Sequence, residues 1–370
     1  MRVAIVHDWL NGMRGGEKVL EALLDMFPSA PVFTLFHEPG KVSSVIESHP
    51  IVTSRLHNVP GVFRFYRNLL PFFPAAIESL DIGGYDLIVS SSHAAAKGIR
   101  KTGARHICYC HTPMRYIWDA EEDYRMSLAA RLVFRAIRPG LRRWDVETAG
   151  RVDHFIANSH FVAGRLRKYY GRESDVVPPP IDTDFFSLSQ NSAREGFYLA
   201  AGALVPYKRF DVVIRAFNAL GKRLVVAGSG PGLRRLRGLA NANVDVRGWV
   251  SNEELRRLYR TAKAIVCAAR EDFGMVAVEA QACGCPVIAY GRGGLPEIVR
   301  DGVNGLLFED QSEQAVAEAV GRFERQSWPA AQVREGVERY SRETFQSEIR
   351  RILEKVAPEI ARELFAVRPA

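Results

Sequence analysis

The stretch AIVCAAREDFGMVAVEAQACGCPVIAY, residues 264–290, reads in succession as strand, loop, helix and strand. AIVCAA (264–269) is an apolar run of strand length. Glu271 follows in a loop with Phe273 and Gly274, and an amphipathic helix starts near Met275. Gly284 can stop that helix, Pro286 cannot continue it, and VIAY (287–290) is again a buried strand. Two carboxylates, Glu271 and Glu279, therefore stand eight positions apart around a helix start. Free N–H groups at 273–275 and the helix dipole suit phosphate, and carboxylates accept hydrogen bonds from hydroxyls. The arrangement fits an anion with a sugar attached. A metal site would need further ligands, and none lie nearby in the sequence.

Working outward, the same alternation fills the second half. FYLAAGAL (197–204) is a strand and Phe210–Leu220 a helix. RLVVAGSGPG (223–232) is a strand ending in a Gly-rich turn. DVRGWV (245–250) is a short strand before the helix SNEELRRLYRTA, whose Ser251 and Glu254 fit a capping box. The first half shows RVAIVHD (2–8), APVFTLF (30–36), YDLIVSSS (85–92), HICYCHT (106–112) and HFIANS (154–159) as strands. Gly15-Gly16-Glu17 opens a helix running to about Met26. Repeated strand–loop–helix units predict parallel sheets wrapped by helices. SDVVPPPIDTDFF (174–186) interrupts the pattern, since three prolines are incompatible with helix. The domain boundary is placed there: 1–178, then 179–344, with the C-terminal helix 345–370 expected to pack back on the first domain. Two doubly wound domains in series imply a cleft between the carboxyl ends of two sheets, where ligands bind in such folds.

Composition agrees with a two-domain globular chain: 370 residues, 47% hydrophobic, 25% charged. No apolar run reaches transmembrane length. MRVAIVHDWL reads as a first buried strand and not as a signal peptide, so a cytoplasmic location is expected. Cys108/Cys110 and Cys283/Cys285 form C-x-C pairs without the usual zinc spacing, and read as reduced, partly buried thiols. The net charge of +8 is unevenly spread. Residues 124–143 hold six arginines (125, 131, 135, 138, 142, 143) and no acid, interleaved with Leu128, Leu132, Val133, Phe134 and Ile137. Residues 55–74, RLHNVPGVFRFYRNLLPFFP, mix Arg with aromatics. Both stretches suit an anionic membrane surface, the alternative being a solvated helix face and an ordinary loop. No nucleic-acid motif is visible.

Gly15-Gly16 after the first strand, His111 after CYC, Ala157-Asn158-Ser159, Lys208 after LVP, Gly228-Ser229-Gly230-Pro231, Glu271 and Glu279, and Gly293-Gly294 with Pro296-Glu297 occur in an ordered series. On these residues the chain resembles a retaining glycosyltransferase of family 4, over nearly its whole length. The resemblance implies an α/β fold of the GT-B type, two Rossmann-like doubly wound domains facing across a cleft. HDWLNGMRGGEKVL and CHTPMRYIWD are most similar to mannosyltransferases of O-antigen and other surface-polysaccharide assembly, which use GDP-mannose or a related GDP-sugar.

The resemblance also assigns roles. Glu271 would contact the transferred sugar, and Glu279 the ribose hydroxyls. Backbone N–H groups of Phe273, Gly274 and Met275 would meet the pyrophosphate or the sugar. Lys208 would pair with the departing diphosphate, lowering the barrier as leaving-group charge develops. Gly15 and Gly16 would offer amides from the first domain, Gly228 and Gly230 would help frame the donor with Arg247–Val250, and His111 would touch the donor sugar or the acceptor. Trp249 is read either as a base-stacking platform or as core. Arg115 is a candidate for an acceptor phosphate, or else a structural ion pair. The chain departs from the family at Gly202-Ala203-Leu204, where many members carry G-R-L. One diphosphate cation is thus missing, and Arg209 is the candidate to replace it.

The expected activity is transfer of a hexose, mannose from GDP-mannose, onto a glycan hydroxyl. The acceptor is expected to be lipid-linked at the inner face of the cytoplasmic membrane, with no metal and no cofactor. Alternatives are a GDP-rhamnose or UDP-sugar donor, a nucleotide-sugar epimerase of the same architecture, or a non-catalytic binding protein. A dehydrogenase is disfavoured, because neither half has G-x-G-x-x-G followed by a ribose-binding acid.

Overall fold

The computed structural model describes residues 1–119, 128–189 and 194–366, with backbone alone for 128–131. Arg125 and the side chains of Leu128 and Arg131 lie outside the described residues. The chain divides into two compact units, Met1–Pro180 with Glu343–Ala370, and Ile181–Arg342.

The first unit is built on seven parallel strands: β1 (Val3–His7), β2 (Val32–Thr34), β3 (Ile51–Thr53), β4 (Leu87–Ser92), β5 (Arg105–Cys110), β6 (His154–Ala157) and β7 (Ser174–Val176). Their order is β3-β2-β1-β4-β5-β6-β7. β1 and β4 are buried along their whole length, which is why they read as continuous apolar runs and not as alternating ones. The Gly15–Met26 helix buries Val19, Leu20, Leu23 and Leu24 against the sheet. Helix Arg342–Val356 sends Phe345, Ile349, Ile352 and Leu353 into the same core, with Phe345 5.6 Å from the Tyr109 ring.

The opposite face is aromatic. Trp9 packs on Tyr66 at 5.6 Å and Phe73 at 5.8 Å. These two aromatics of the 55–74 stretch are therefore core residues, while Phe72 is 58% exposed. Within 124–143, Arg138 and Arg142 both donate through Nε to the Ile117 carbonyl at 2.8 Å. Among the described residues no helix is long and apolar enough to cross a membrane.

The second unit repeats the plan with β8 (Phe197–Ala201), β9 (Arg223–Ala227), β10 (Val244–Gly248), β11 (Ile265–Cys267), β12 (Val287–Tyr290) and β13 (Gly305–Phe308). The order β10-β9-β8-β11-β12-β13, all parallel, has the same winding. Helices Phe210–Leu220, Asn252–Thr261 and Met275–Ala282 lie where the pattern predicts them. Ser251 Oγ accepts from the Glu254 amide, capping the second of these. In each sheet the order reverses beside its first strand, between β1 and β4 and between β8 and β11. Ligands of open parallel sheets bind outside the strand carboxyl ends at such a reversal.

Candidate functional site

In the second unit, Gly202 follows β8 and Glu271 follows β11, on either side of the reversal. Lys208 sits in the short turn Pro206–Lys208, and its Nζ lies 2.8 Å from Glu271 Oε1. A Cβ on Gly202 would stand 3.4 Å from that ammonium, so glycine leaves the room it occupies. Burial alone would lower the Lys208 pKa. The Glu271 carboxylate outweighs it and raises the ammonium above its usual range. Both side chains are mostly buried, 16% and 18% exposed. The pair's consequence is geometric: it fixes a cation and a carboxylate side by side.

The Glu271 backbone is fixed as well. It pairs with Gly293, and the Gly294 amide donates to its carbonyl at 2.8 Å. A Cβ at Gly293 would fall 2.3 Å from the Glu271 oxygen, and one at Gly294 2.5 Å from the Asp272 oxygen. Gly274 has φ +116° immediately before the helix, a conformation that favours glycine. Phe273 is buried with its ring 5.7 Å from Tyr340, so only its backbone can serve a ligand. Met275 opens the helix and is half-buried. The first N–H groups of a helix lack intrahelical acceptors. Glu279, one turn on, accepts from the buried Tyr259 hydroxyl at 3.0 Å. Burial, and the Glu279 charge, push the Tyr259 pKa well up, so the phenol stays a donor.

Gly228 and Gly230 have φ +149° and +152°. Cβ atoms there would lie 1.8 Å from the Gly202 oxygen and 2.7 Å from the Leu204 oxygen. The Gly-rich loop is thus folded onto 202–204, with Leu204 N donating to Ser229 O and Gly228 N to Gly248 O. Trp249 is 75% exposed beside this loop, which removes the core reading. Arg209 carries the one positive φ among described non-glycine residues, +52°. Its Nε faces Asp211 at 3.7 Å, and Asp211 also meets Arg235 at 3.9 Å. Arg209 is adjacent to Lys208 in the chain, yet its carboxylate partner is Asp211 and not Glu271.

In the first unit, Gly15 and Gly16 open their helix, and the Arg14 amide donates to Glu17 Oε2 at 2.8 Å. A Cβ on Gly16 would meet His7 at 3.5 Å and His111 at 3.7 Å. His111 follows β5, its amide donates to Ser92 O, and its carbonyl accepts from Asn158 Nδ2. Its Nε2 is 2.8 Å from Ser91 Oγ. Burial, then the neighbouring His93 and His7, depress its pKa to about 3 against the pull of Asp8 and Glu17. His111 is therefore neutral and is no reservoir of protons. Arg115 opens the short turn Arg115–Trp118. That turn is pinned by Trp118 Nε1 donating to Asp145 Oδ2 at 2.7 Å, and Asp145 pairs with buried Lys97 at 2.9 Å.

Three residues here escaped the sequence reading: His7, Asp8 and His93. Asp8 is fully buried, accepts from the amides of His93, Ala94, Ala95 and Ala96, and lies 3.0 Å from His93 Nδ1. Burial would raise its pKa, but the His93 contacts outweigh it and hold the carboxyl well below the usual range. Burial likewise opposes the charge on His93, and Asp8 reverses that and raises it. The available signal was a His-Asp pair directly after a buried strand. Among the described residues no group of three or more His, Cys, Asp or Glu is placed to hold a metal ion.

Residues 14–185 match the family model described as Glycosyltransferase Family 4, and residues 182–344 match Glycosyl transferases group 1. A D-inositol 3-phosphate glycosyltransferase of Actinosynnema mirum is 38% identical over 211 residues, 48% of this chain and 51% of that protein. One of Xylanimonas cellulosilytica is 34% identical over 245 residues, 55% and 58% of the two chains. The chain spans about half the length of the curated relatives it matches. Anabaena HepE, solved with UDP and glucose, superposes with TM-score 0.71 at 18% identity, over 96% of this chain and 100% of that one. Sucrose-phosphate synthase of Thermosynechococcus elongatus gives 0.71 at 20%, over 97% and 100%. At such identities the superpositions show the fold, that of GT-B glycosyltransferases with two parallel-sheet Rossmann-like domains.

Proposed function

We propose, from the match of its two domains to the Glycosyltransferase Family 4 and Glycosyl transferases group 1 models, that this chain moves a hexose from a nucleotide-sugar onto a glycan hydroxyl with retention of configuration. The observation that carries the proposal is the Lys208–Glu271 pair at the β8/β11 reversal, next to a glycine-preceded helix start. Lys208 would meet the departing diphosphate, where a fixed cation acts on charge that develops in the transition state. Glu271 would face the sugar hydroxyls and the anomeric carbon, Glu279 the ribose hydroxyls, and the amides of Phe273, Gly274 and Met275 the pyrophosphate. Gly228 and Gly230 would frame the donor. Gly15, Gly16 and His111 would serve from the first domain, with Arg115 toward the acceptor. As the sugar–phosphate bond breaks, the acceptor oxygen bonds to the anomeric carbon on the same face, and the leaving phosphate oxygen takes its proton. No metal is needed for these steps, so EDTA leaves the rate unchanged.

The donor assigned here is GDP-mannose, on the likeness of HDWLNGMRGGEKVL and CHTPMRYIWD to mannosyltransferases. A UDP-sugar is the second reading, favoured by the UDP bound in the superposable HepE. A panel of nucleotide-sugars with acceptor decides between them. Release of GDP from GDP-mannose supports the first, and turnover confined to UDP-sugars sinks it. Thermal shifts with GDP and UDP separate either from a non-catalytic protein, and a requirement for acceptor excludes an epimerase. We place the acceptor at an anionic membrane surface, supported by Leu132 at 68% and Val133 at 62% exposure within the arginine-rich helix. Replacing both by Glu should abolish sedimentation with anionic vesicles, and unchanged sedimentation removes the membrane reading.

A further inference from the structure

Beyond the residues assigned to substrate, the first unit contains a buried row of polar side chains that ends on His111, its last two links being hydrogen bonds. Glu17 Oε1 lies 3.6 Å from His7 Nε2. His7 Nδ1 is 3.1 Å from Ser91 Oγ, and Ser91 Oγ is 2.8 Å from His111 Nε2. The three members behind His111 are all buried: His7 and Ser91 completely, Glu17 nearly so. They come from three places, β1, the first turn of the Gly15–Met26 helix and β4, and the pairing of His7 with Ser91 across β1 and β4 sets their spacing.

The direction of the row follows from what each group can do. A carboxylate only accepts, and Glu17 is held ionised, because the His7 contact and the Arg14 charge outweigh the burial that would raise its pKa. The ring nitrogen facing it must then carry hydrogen, since a lone pair there would be repelled. A charge-assisted pair would close to about 2.7–2.9 Å; at 3.6 Å the two atoms are not hydrogen-bonded, and His7 enters the proposal as a neutral ring. With its proton on Nε2, His7 accepts at Nδ1, so the Ser91 hydroxyl donates to it. That hydroxyl has one hydrogen. Toward His111 it can only accept, and His111 Nε2 must donate.

We propose that Ser91, with His7 and Glu17 behind it, fixes His111 in the neutral tautomer that carries its proton on Nε2, so that Nδ1 presents a lone pair to a substrate hydroxyl. Nδ1 of His111 has no protein partner among the described residues. Ser91, His7 and Glu17 are positioning residues, acting through His111. The identity of the hydroxyl rests on the glycosyl-transfer reading; the tautomer does not.

The test is long-range proton–nitrogen NMR on the full chain labelled with ¹⁵N-histidine, with His111 assigned by the loss of its signals in His111→Gln. The expected spectrum has protonated Nε2 and unprotonated Nδ1 in a single population. Ser91→Ala should give a mixture of both tautomers. Glu17→Gln, whose amide can donate to His7, should shift His111 toward Nδ1–H. A wild-type His111 protonated on Nδ1, or a His111 unchanged in both variants, overturns the proposal. Turnover is the second measurement. Ser91→Ala should lower kcat about tenfold, the value of one hydrogen bond, with the donor KM unchanged. The expected spectra without turnover on any nucleotide-sugar would refute glycosyl transfer and leave the tautomer assignment standing.

Discussion

Lys208 Nζ and Glu271 Oε1 are 2.8 Å apart, one from the loop after β8 and the other from the loop after β11. The contact closes across the point where the strand order reverses, so it exists only once the second sheet is assembled. Each group also limits the other: the carboxylate offsets the charge of the cation, and the cation that of the carboxylate.

That mutual dependence predicts non-additive mutations. Glu271→Ala should reduce kcat/KM at least about a hundredfold, the loss of a contact made in the transition state. Lys208→Ala should be comparable, and the double variant should fall little further, because neighbours in one ion pair couple. Steady-state kinetics on the four proteins check this. Near-full activity in Glu271→Ala would remove the assignment.

Glu279 and Tyr259 should behave differently. Tyr259→Phe removes the phenol that holds the Glu279 carboxylate, and Glu279→Gln weakens the acceptor proposed for the ribose. Each should raise the donor KM with kcat nearly unchanged, since ribose contacts are the same in ground and transition states. A fall in kcat at constant KM would place Glu279 at the reacting sugar instead.

Glycines divide by what surrounds them. Gly228→Ala would drive a methyl to within 1.8 Å of the Gly202 carbonyl at φ +149°, and should lower stability by more than about 3 kcal/mol or abolish folding. Gly164, in the helix His160–Tyr170, has nothing within 4 Å of its Cβ position. Gly164→Ala should stabilise by about 0.5–1 kcal/mol. Urea melts of the two variants give both signs.

Acid should destabilise the fold through buried neutral histidines. Burial, with Lys101 nearby, takes the His106 pKa down to about 3, and that of His111 is also about 3. Below about pH 6.5 the unfolded chain binds a proton at each and the native chain does not. Stability from these two groups therefore falls as pH drops from about 6.5 toward 3, by about 1.4 kcal/mol per pH unit for each. His93, whose pKa is raised, contributes in the opposite sense: its stabilisation is lost as pH rises through its folded value. Urea midpoints at pH 7 and 5 measure the slope, and His106→Gln should flatten it.

Much of the fold was legible because its signals are local. Strands such as VAIVH and VIAY are short apolar runs, and the helices Gly15–Met26 and Phe210–Leu220 carry their own periodicity and stops. Glu271, Gly274 and Glu279 could be singled out because one strand–loop–helix unit holds them. The strands proved shorter than the apolar runs at several ends, AIVCAA pairing only over Ile265–Cys267, because apolar residues past the last ladder bond still pack into the core.

The sequence by itself determined two parallel-sheet domains and the run from Glu271 to Glu279, since hydrophobic period and turn residues act within a few positions. Only the tertiary structure decided that Asp8 holds His93 eighty-five positions away. The same is true of Ser91 standing between His7 and His111, of Gly228 folding onto Gly202, of Tyr66 and Phe73 closing over Trp9, and of Arg209 facing Asp211. The physical reason is the crossover connection. Each parallel strand returns to its neighbour through an intervening helix or long loop, so strand ends meet across separations over which no local pattern survives.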